Sequence, residues 1–401
     1  MLKFALKNMA IKKLQIILVV LSVVLSAGTG VLAYNVATQV EDGITDNAAY
    51  YSAIVGPAGS DIQLATNSMY FTGSTLGTIP YSIVEDLQKN MNVTSAIPFA
   101  MADSYKGNNV IGTTAAYLDG KELAKGEMFS DSETLQVVIG STVAERNDIS
   151  VGDVIYTSHS ADGEDTHAQG LTVVGILKKS YSTFDKQVFT QIRSLWEMHD
   201  HEGHEEGHEE EKEHEHLHGM VCAVMVKTKN QNSAAAIISQ YNNMILTEDG
   251  ETYPLQAIEP MSVMREVLDD NDNTKFIVYV LCAVILAMNI MIISIITLLN
   301  TYHSAKEISL MRLIGISMKK INLLYVIQNG IIGLVSTVLA FGLSRLCLLG
   351  MDSYVSSMGV VLNLSKVYPM ELVFLVGLFI ISILPTVIWI ANTARKDGVT
   401  N

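Results

Sequence analysis

Four long apolar segments constrain this chain most, because each is long enough to cross a lipid bilayer as a helix. They lie at 14–34, 275–299, 321–349 and 370–391, and a helix needs roughly 20 apolar residues to span the hydrocarbon core. Backbone amides in hydrocarbon must be hydrogen-bonded within their own segment, so the pattern predicts four transmembrane α-helices. The polar segment 35–274 predicts one large domain between helices 1 and 2 of this membrane protein.

Positive charges predict the side of the membrane on which each segment lies. The segments 1–13, 300–320 and 392–401 together hold ten Lys or Arg residues and two acidic ones. Short loops rich in Lys and Arg remain in the cytoplasm. The pattern therefore predicts a multi-pass protein of the plasma (inner) membrane, with both termini cytoplasmic, an extracytoplasmic domain at 35–274 and an outer loop at 350–369. Residues 1–13 have the composition of a short interfacial helix.

A cleaved signal peptide is the alternative interpretation of the N-terminus. The basic start, the apolar core and the small residues of 26–33 all permit it. The apolar stretch is longer than the core of a usual signal peptide, so we favour a retained helix. From Asn35 onwards no helix breaker occurs until Gly43, so this helix is expected to project beyond the membrane.

The net charge of −15 is concentrated outside the predicted cytoplasmic segments. A basic inner rim suits anionic lipid head groups or an acidic cytoplasmic partner, and nothing in the sequence favours nucleic acid. Three cysteines are too few for a disulfide framework, and only Cys222 falls in the outer domain. At its length, the outer domain can be held together by an ordinary hydrophobic core.

The outer domain mixes strand and helix patterns. Short apolar runs bounded by turn residues predict strands, and apolar residues spaced for one face predict helices. The strand candidates are 53–56, 96–99, 137–140, 154–156, 171–177, 187–192 and 221–226, and the helix candidates are 82–90 and 231–244. This alternation predicts an α+β domain and leaves open a division into two lobes.

A His/Glu-rich tract at 199–218 interrupts the outer domain. It contains seven of the ten histidines, with Asp200 and eight glutamates between them: His199, His201, His204, His208, His214, His216 and His218. Imidazole and carboxylate ligands suit Zn²⁺, and also Ni²⁺ or Cu²⁺. The tract is therefore a candidate metal-binding insertion, and a merely solvated acidic loop is the alternative. His159 and His167 lie in another turn-rich stretch, and the sequence leaves open whether they approach the tract.

Two negative findings limit the chemistry of the chain. Residues 204–208 match the zinc-protease pattern H-E-x-x-H, but Gly203 and Gly207 weaken the helix that this motif requires. A His/Glu-rich stretch produces such a pattern by chance, so a metalloprotease is a remote third option. No phosphate-binding loop is present, because Gly120-Lys121 is followed by Glu122. We expect a non-catalytic subunit with no intrinsic cofactor, and ATP would have to bind a separate partner.

Several segments resemble the FtsX/MacB-like permeases of ABC transporters, also called type VII permeases. These segments occur in the family's order, and they are LKFALKNMAIKK, LDGKELAKGEMF, VVIGSTVAERNDISVGDVI, LTVVGILKKSYSTFDKQVF and KEISLMRLIGISMKKI. The resemblance implies a permease subunit that forms a homodimer with a second copy or pairs with another permease subunit, and that is driven by a separate cytoplasmic ABC ATPase. It also implies an outer domain that moves with the helices, a mode called mechanotransmission.

The resemblance further implies that the loop between helices 2 and 3 contacts the ATPase. The matching residues are Lys306, Glu307, Ile308, Ser309, Leu310, Met311, Arg312, Leu313, Ile314 and Gly315. The same residues also have the pattern of an amphipathic helix, with an apolar stripe and with Gly315 able to end it. A juxtamembrane helix lying on lipid is the alternative.

The predicted membrane helices carry no chain of carboxylates or histidines, so a route for free Zn²⁺ through them is poorly supported. We expect instead mechanotransmission, or export of an apolar or outer-leaflet substrate. A membrane metal sensor or scaffold that regulates a cell-envelope partner is the alternative function.

Overall fold

The computed structural model describes residues 2–159, 166–200, 219–270, 308, 310–356 and 361–399, together with individual residues between 280 and 295. The chain divides into two compact units. The membrane unit comprises Met1–Gln39, Asn271–Ser353 and Leu362–Asn401, and the outer unit comprises Val40–Asp270 and Tyr354–Val361.

Long apolar helices form the described part of the membrane unit. They are α1 (Leu2–Ile11), α2 (Lys13–Ala48), α9 (Met318–Ser356) and α10 (Pro369–Val399). Three candidate spans lie within them, at Lys13–Ala48, Met318–Met351 and Pro369–Ile388. These helices contain three of the four predicted segments, whereas most of the predicted helix at 275–299 lies outside the described residues. Helix α2 continues to Ala48, as the lack of an early breaker predicts.

A buried polar network joins α2, α9 and α10 within the membrane unit. Arg345 on α9 forms an ion pair with the Glu371 carboxylate at the start of α10. The Asn35 side chain on α2 donates to the same carboxylate, and Gln39 donates to Asn35 over 2.6 Å. The side chain of Glu371 is fully buried and that of Arg345 is 13% exposed, so the ion pair is largely withdrawn from solvent.

Short helices and strands alternate through the outer unit. The helices are α3 (Asp61–Tyr70), α4 (Ser82–Lys89), α5 (Ser141–Asn147), α6 (Ile192–Asp200), α7 (Gln231–Tyr241) and α8 (Pro260–Asp270). The strands are β1 (Ala53–Pro57), β2 (Ile79–Pro80), β3 (Val93–Tyr105), β4 (Asn108–Thr113), β5 (Leu123–Gly126), β6 (Gln136–Ile139), β7 (Val154–Ile155), β8 (Leu171–Leu177), β9 (Val188–Gln191), β10 (Met220–Val221), β11 (Ala223–Thr228), β12 (Ile245–Glu248) and β13 (Glu251–Ile258).

One mixed sheet organises the described part of the outer unit. Its order is β12-β13-β1-β11-β3-β4-β9-β6-β8-β5, with β7 paired to β8. Most neighbours are antiparallel, and β4–β9 and β6–β8 are parallel. The long strand β3 pairs with β11 through its first half and with β4 through its second. The α+β prediction for this unit is therefore confirmed, with β3 shared between the two halves of the sheet.

An aromatic cluster fills the centre of the outer unit's core. Tyr117, Phe71, Phe99, Phe184 and Phe189 lie with ring centroids 5.3–6.3 Å apart. The Tyr117 hydroxyl donates to the carbonyl of Ser68 over 2.8 Å, so its one polar atom is satisfied inside the core.

The structure divides one predicted strand and shortens one predicted helix. The candidate strand 221–226 is divided between β10 and β11, because Cys222 lies between two separate pairings: β10 pairs with β2, and β11 pairs with β1 and β3. The candidate helix 231–244 ends at Tyr241, where Asn242 leaves the helical conformation and Asn243 has a φ of 60°. Asparagine tolerates that left-handed conformation better than most residues.

Candidate metal centre

Four potential metal ligands converge in the outer unit. They are the carboxylate of Asp103 and the imidazoles of His159, His167 and His199, and one donor atom from each lies within 4.8 Å of all the others. Asp103, His167 and His199 are buried, and the side chain of His159 is 18% exposed. Among the described residues, this is the only such group of three or more His, Cys, Asp or Glu side chains.

Backbone pairing places three of the four ligands. The amide and carbonyl of Ser104 exchange hydrogen bonds with those of Ser158, at 2.8 and 2.9 Å. This antiparallel bridge sets Asp103 opposite His159. A second bridge pairs Ser158 with Thr166, and it brings His167 to the same place. A register shift in β3 between Met101 and Asp103 re-aims the strand just before the ligand.

Helix α6 supplies the fourth ligand from its last turn. Leu195 and Met198 are buried on the face by which α6 packs against β4 and β9. Gly112 on β4 permits this close approach, since a Cβ atom there would lie 2.9 Å from Leu195 Cδ2. His199 follows Met198 directly, so the packing that buries the helix also fixes the position of its imidazole. The C-terminal end of a helix also favours a nearby positive charge, such as that of a bound cation.

The donor distances fit one small cation. His159 Nδ1 lies 3.2 Å from Asp103 Oδ1, His199 Nε2 lies 3.2 Å from the same oxygen, and His167 Nε2 lies 3.1 Å from Oδ2. Ligands about 2.0–2.1 Å from a tetrahedral Zn²⁺ are separated from one another by about 3.3 Å. The spacing is therefore that of neighbouring ligands around one metal ion.

The electrostatics of Asp103 favour an ionised carboxylate at this position. Burial by itself would raise the pKa of Asp103, but the adjacent imidazoles of His159, His167 and His199 lower it well below its usual range. An imidazole nitrogen lies within 3.2 Å of each carboxylate oxygen. Three imidazole nitrogens and one carboxylate oxygen suit a borderline divalent cation, and no thiolate is among them.

The structure describes one of the seven metal ligands that the sequence predicts in the His/Glu-rich tract. His199 belongs to the cluster, whereas His201, His204, His208, His214, His216 and His218 lie outside the described residues. His159 and His167, whose approach the sequence left open, do contact the site. Sequence reasoning missed Asp103, which lies in a strand and has no neighbouring histidine in the sequence. Its one signal was an acidic residue within an otherwise apolar strand pattern.

The predicted ATPase-contacting residues are partly described. Lys306, Glu307 and Ser309 lie outside the described residues, and residues 310–313 are helical. Leu310, Leu313 and Ile314 are 59%, 82% and 79% exposed. Gly315 has a φ of 87° and ends the helix, as predicted, with its amide donating to the Arg312 carbonyl over 2.9 Å.

One family model and two solved structures are similar to parts of this chain. The model of the MacB-like periplasmic core domain family matches residues 14–243. The extracellular domain of the noncanonic ABC-type transporter YknZ from Gram-positive bacteria is similar over 51% of this chain and 99% of its own, at 14% identity and a TM-score of 0.33. The periplasmic region of MacB from Actinobacillus actinomycetemcomitans is similar over 56% and 97%, at 10% identity and a TM-score of 0.35.

No curated protein sequence matches the chain. The family model carries the assignment, because it covers more than half of the residues and includes the first membrane helix as well as most of the outer unit. The chain therefore belongs to the family with a MacB-like periplasmic core domain and is an FtsX/MacB-like (type VII) ABC transporter permease.

Proposed function

We propose that this permease couples a separate cytoplasmic ATPase to motion of its outer domain. The match of the family model to residues 14–243 is the observation that carries the proposal. Permeases of this family work with a cytoplasmic ATPase, often as dimers, so we propose that ATPase and a second copy of this chain as partners. ATP would bind the partner, since the chain has no phosphate-binding loop.

The proposed ATPase contact is the helix that ends at Gly315. Leu310 and Leu313 expose their apolar side chains, whereas Met311 packs against a small cluster of Ile308, Ile321 and Tyr325. Exposed apolar side chains beside basic residues suit a docking face for a protein partner. Met311 would hold this helix in place through its contacts with that cluster and would not itself contact the ATPase.

Replacing Leu310 and Leu313 together by aspartate is expected to reduce co-purification of the ATPase at least about tenfold. Two charges in the centre of an apolar contact are costly to desolvate, and hot-spot substitutions commonly cost about 2 kcal/mol or more. The measurement is the amount of ATPase retained on the tagged permease in detergent.

Met91→Asp is the matched control for this double variant, because Met91 is 86% exposed and lies in the outer unit. Retention of the ATPase by the control and its loss from the double variant would support the contact. Equal retention by both variants, at equal permease yield, would refute it.

We also propose that the outer unit is extracytoplasmic while both termini are cytoplasmic. In a variant without native cysteines, Met91→Cys is expected to react with a membrane-impermeant thiol reagent on intact cells. Ile11→Cys, 77% exposed on α1, is expected to react only after the cells are opened. The reverse pattern would invert the topology.

Cys222 itself is a poor probe of topology. Its side chain is buried, and desolvation raises the pKa of its thiol to about 11. The thiolate is the reacting species, so we expect Cys222 to remain unlabelled in folded protein on either side of the membrane. Labels must therefore be placed at exposed positions such as Met91.

The activity of the permease is proposed at the level of its transport class. We propose mechanotransmission, or export of an apolar or outer-leaflet substrate, because the described membrane helices hold one mutually paired Glu–Arg couple and no relay of ionisable groups. The alternative is a membrane metal sensor or scaffold that regulates a cell-envelope partner. ATP hydrolysis by the partner would depend on this permease in the first case and be independent of it in the second.

The His/Glu-rich tract at 199–218 is proposed to bind Zn²⁺, with Ni²⁺ or Cu²⁺ as competitors. Seven histidines among eight glutamates support the proposal. A sequence of this composition offers several interchangeable ligand sets, so we expect metal to bind there at several sites of moderate affinity and to exchange readily.

A further inference from the structure

We propose that Asp103, His159, His167 and His199 form a closed zinc centre, a site that retains one metal ion and is distinct from the six tract histidines that follow. The proposal deepens the metal binding proposed above. It shares only His199 with the tract and does not depend on coupling to the ATPase.

The ligand set and its spacing carry the choice of metal. Three imidazole nitrogens lie 3.1–3.2 Å from the Asp103 carboxylate, those of His159 and His199 from Oδ1 and that of His167 from Oδ2. The imidazole ring centroids are 4.4, 4.9 and 5.0 Å apart, so each ring lies beside both of the others. Four converging donors in three dimensions suit tetrahedral Zn²⁺, whereas Cu²⁺ prefers a tetragonal arrangement.

A purely structural polar cluster explains the arrangement less well. Two buried histidines and the partly exposed His159 surround one buried carboxylate, so the cluster gathers three nitrogen donors around a single acidic group. A divalent cation would coordinate the carboxylate and all three imidazoles at once, which accounts for the convergence of all four side chains. Burial of these side chains favours retention of the ion.

The four ligands also belong to segments that a metal would fasten together. Asp103 lies on β3, His159 and His167 lie in the connection between β7 and β8, and His199 lies in the last turn of α6. Four protein ligands leave no open position for a substrate or an activated water, as in structural zinc sites. The centre would therefore hold these three segments in one arrangement and would not hydrolyse a substrate.

The test compares two variants of the full-length protein in detergent. Each protein is stripped with a chelator, reloaded with Zn²⁺ and desalted, and the retained zinc per chain is measured by atomic emission. We expect wild type to retain one zinc per chain and His167→Ala to retain none. Loss of this ligand should lower the affinity for zinc at least about a hundredfold, since even loss of an outer-shell partner costs 10–100-fold. His159→Gln, on the less buried side of the site, is the milder second variant.

The matched control replaces the six histidines from His201 to His218 by glutamine and leaves the four proposed ligands intact. It is expected to retain one zinc. Co²⁺ provides an independent readout, because a four-coordinate site gives strong visible absorption, expected in wild type and in the control and absent from His167→Ala. Circular dichroism verifies that each variant is folded.

The outcomes separate the two metal proposals. Retained zinc in the folded His167→Ala and His159→Gln variants, or no retained zinc in folded wild type, would overturn the zinc centre. Loss of the retained zinc from the tract control alone would overturn it as well, and would leave the tract as the binding site. One retained zinc in the control, with additional weak binding in wild type before desalting, would support both proposals.

Discussion

Replacing Arg345 by methionine is expected to destabilise the membrane unit by about 3–5 kcal/mol, because Glu371 would then keep a buried charge without a charged partner. The Glu371 side chain is fully buried and that of Arg345 is 13% exposed. The guanidinium also lies 4.7 Å above the ring of Phe341. Methionine preserves much of the length of the side chain, so the lost interaction is mainly electrostatic.

The network around Glu371 explains why the expected loss is large. The Asn35 side chain donates to the carboxylate and to the carbonyl of Lys366, the latter over 3.3 Å. Gln39 donates to Asn35 and to the carbonyl of Asn363, and it accepts from the Asn363 amide over 2.7 Å. These polar groups are mutually satisfied only while the carboxylate holds its position, so the loss of Arg345 is transmitted to its neighbours.

The measurement is the free energy of unfolding in mixed micelles, from titration with a denaturing detergent. Arg345→Lys retains the charge and is the matched control, although it loses the planar fork of the guanidinium. The double variant Arg345→Met with Glu371→Leu removes both charges and should recover most of the stability. A single Arg345→Met variant as stable as wild type would show that the pair contributes nothing.

The sequence predicted the elements whose patterns are local. The apolar segments at 321–349 and 370–391 lie within single helices, and β8 has the bounds of its candidate strand at 171–177. Hydrophobic length and alternation determine such elements almost independently of their surroundings. The predicted ends of strands were wrong where pairing with a neighbouring strand determines them. Cys222 is an example, because it separates β10 and β11, which pair with different strands.

The candidate metal centre was only partly predictable, since its ligands meet through tertiary pairing. His199 was identified because it begins a histidine-rich tract, whereas Asp103 lies nearly a hundred residues earlier in the chain. The Ser104–Ser158 bridge and the shift in β3 bring them together. Neither feature has a sequence pattern that distinguishes it from an ordinary strand and turn. Glu371 and Arg345 are likewise 26 residues apart in the sequence, and no local pattern indicates that they form a pair.

Replacing Tyr117 by alanine is expected to destabilise the outer unit by about 3–5 kcal/mol, the range for truncation of a large buried aromatic side chain. Tyr117 is 1% exposed and lies among Phe71, Phe99, Phe184 and Phe189. Loss of the ring would leave a cavity between these rigid neighbours, which can collapse only partly. Trp196 reports on unfolding, because its indole donates to the Met220 carbonyl over 3.0 Å.

Tyr117→Phe is the matched control, since it retains the ring and removes only the hydrogen bond to the Ser68 carbonyl. It should cost about 1 kcal/mol. Urea unfolding followed by Trp196 fluorescence, in a Trp389→Phe background, measures both variants. Equal stabilities of the alanine and phenylalanine variants would refute the packing role of the ring. Because Phe189 lies on β9, which leads directly into α6 and His199, the alanine variant alone should also lose retained zinc.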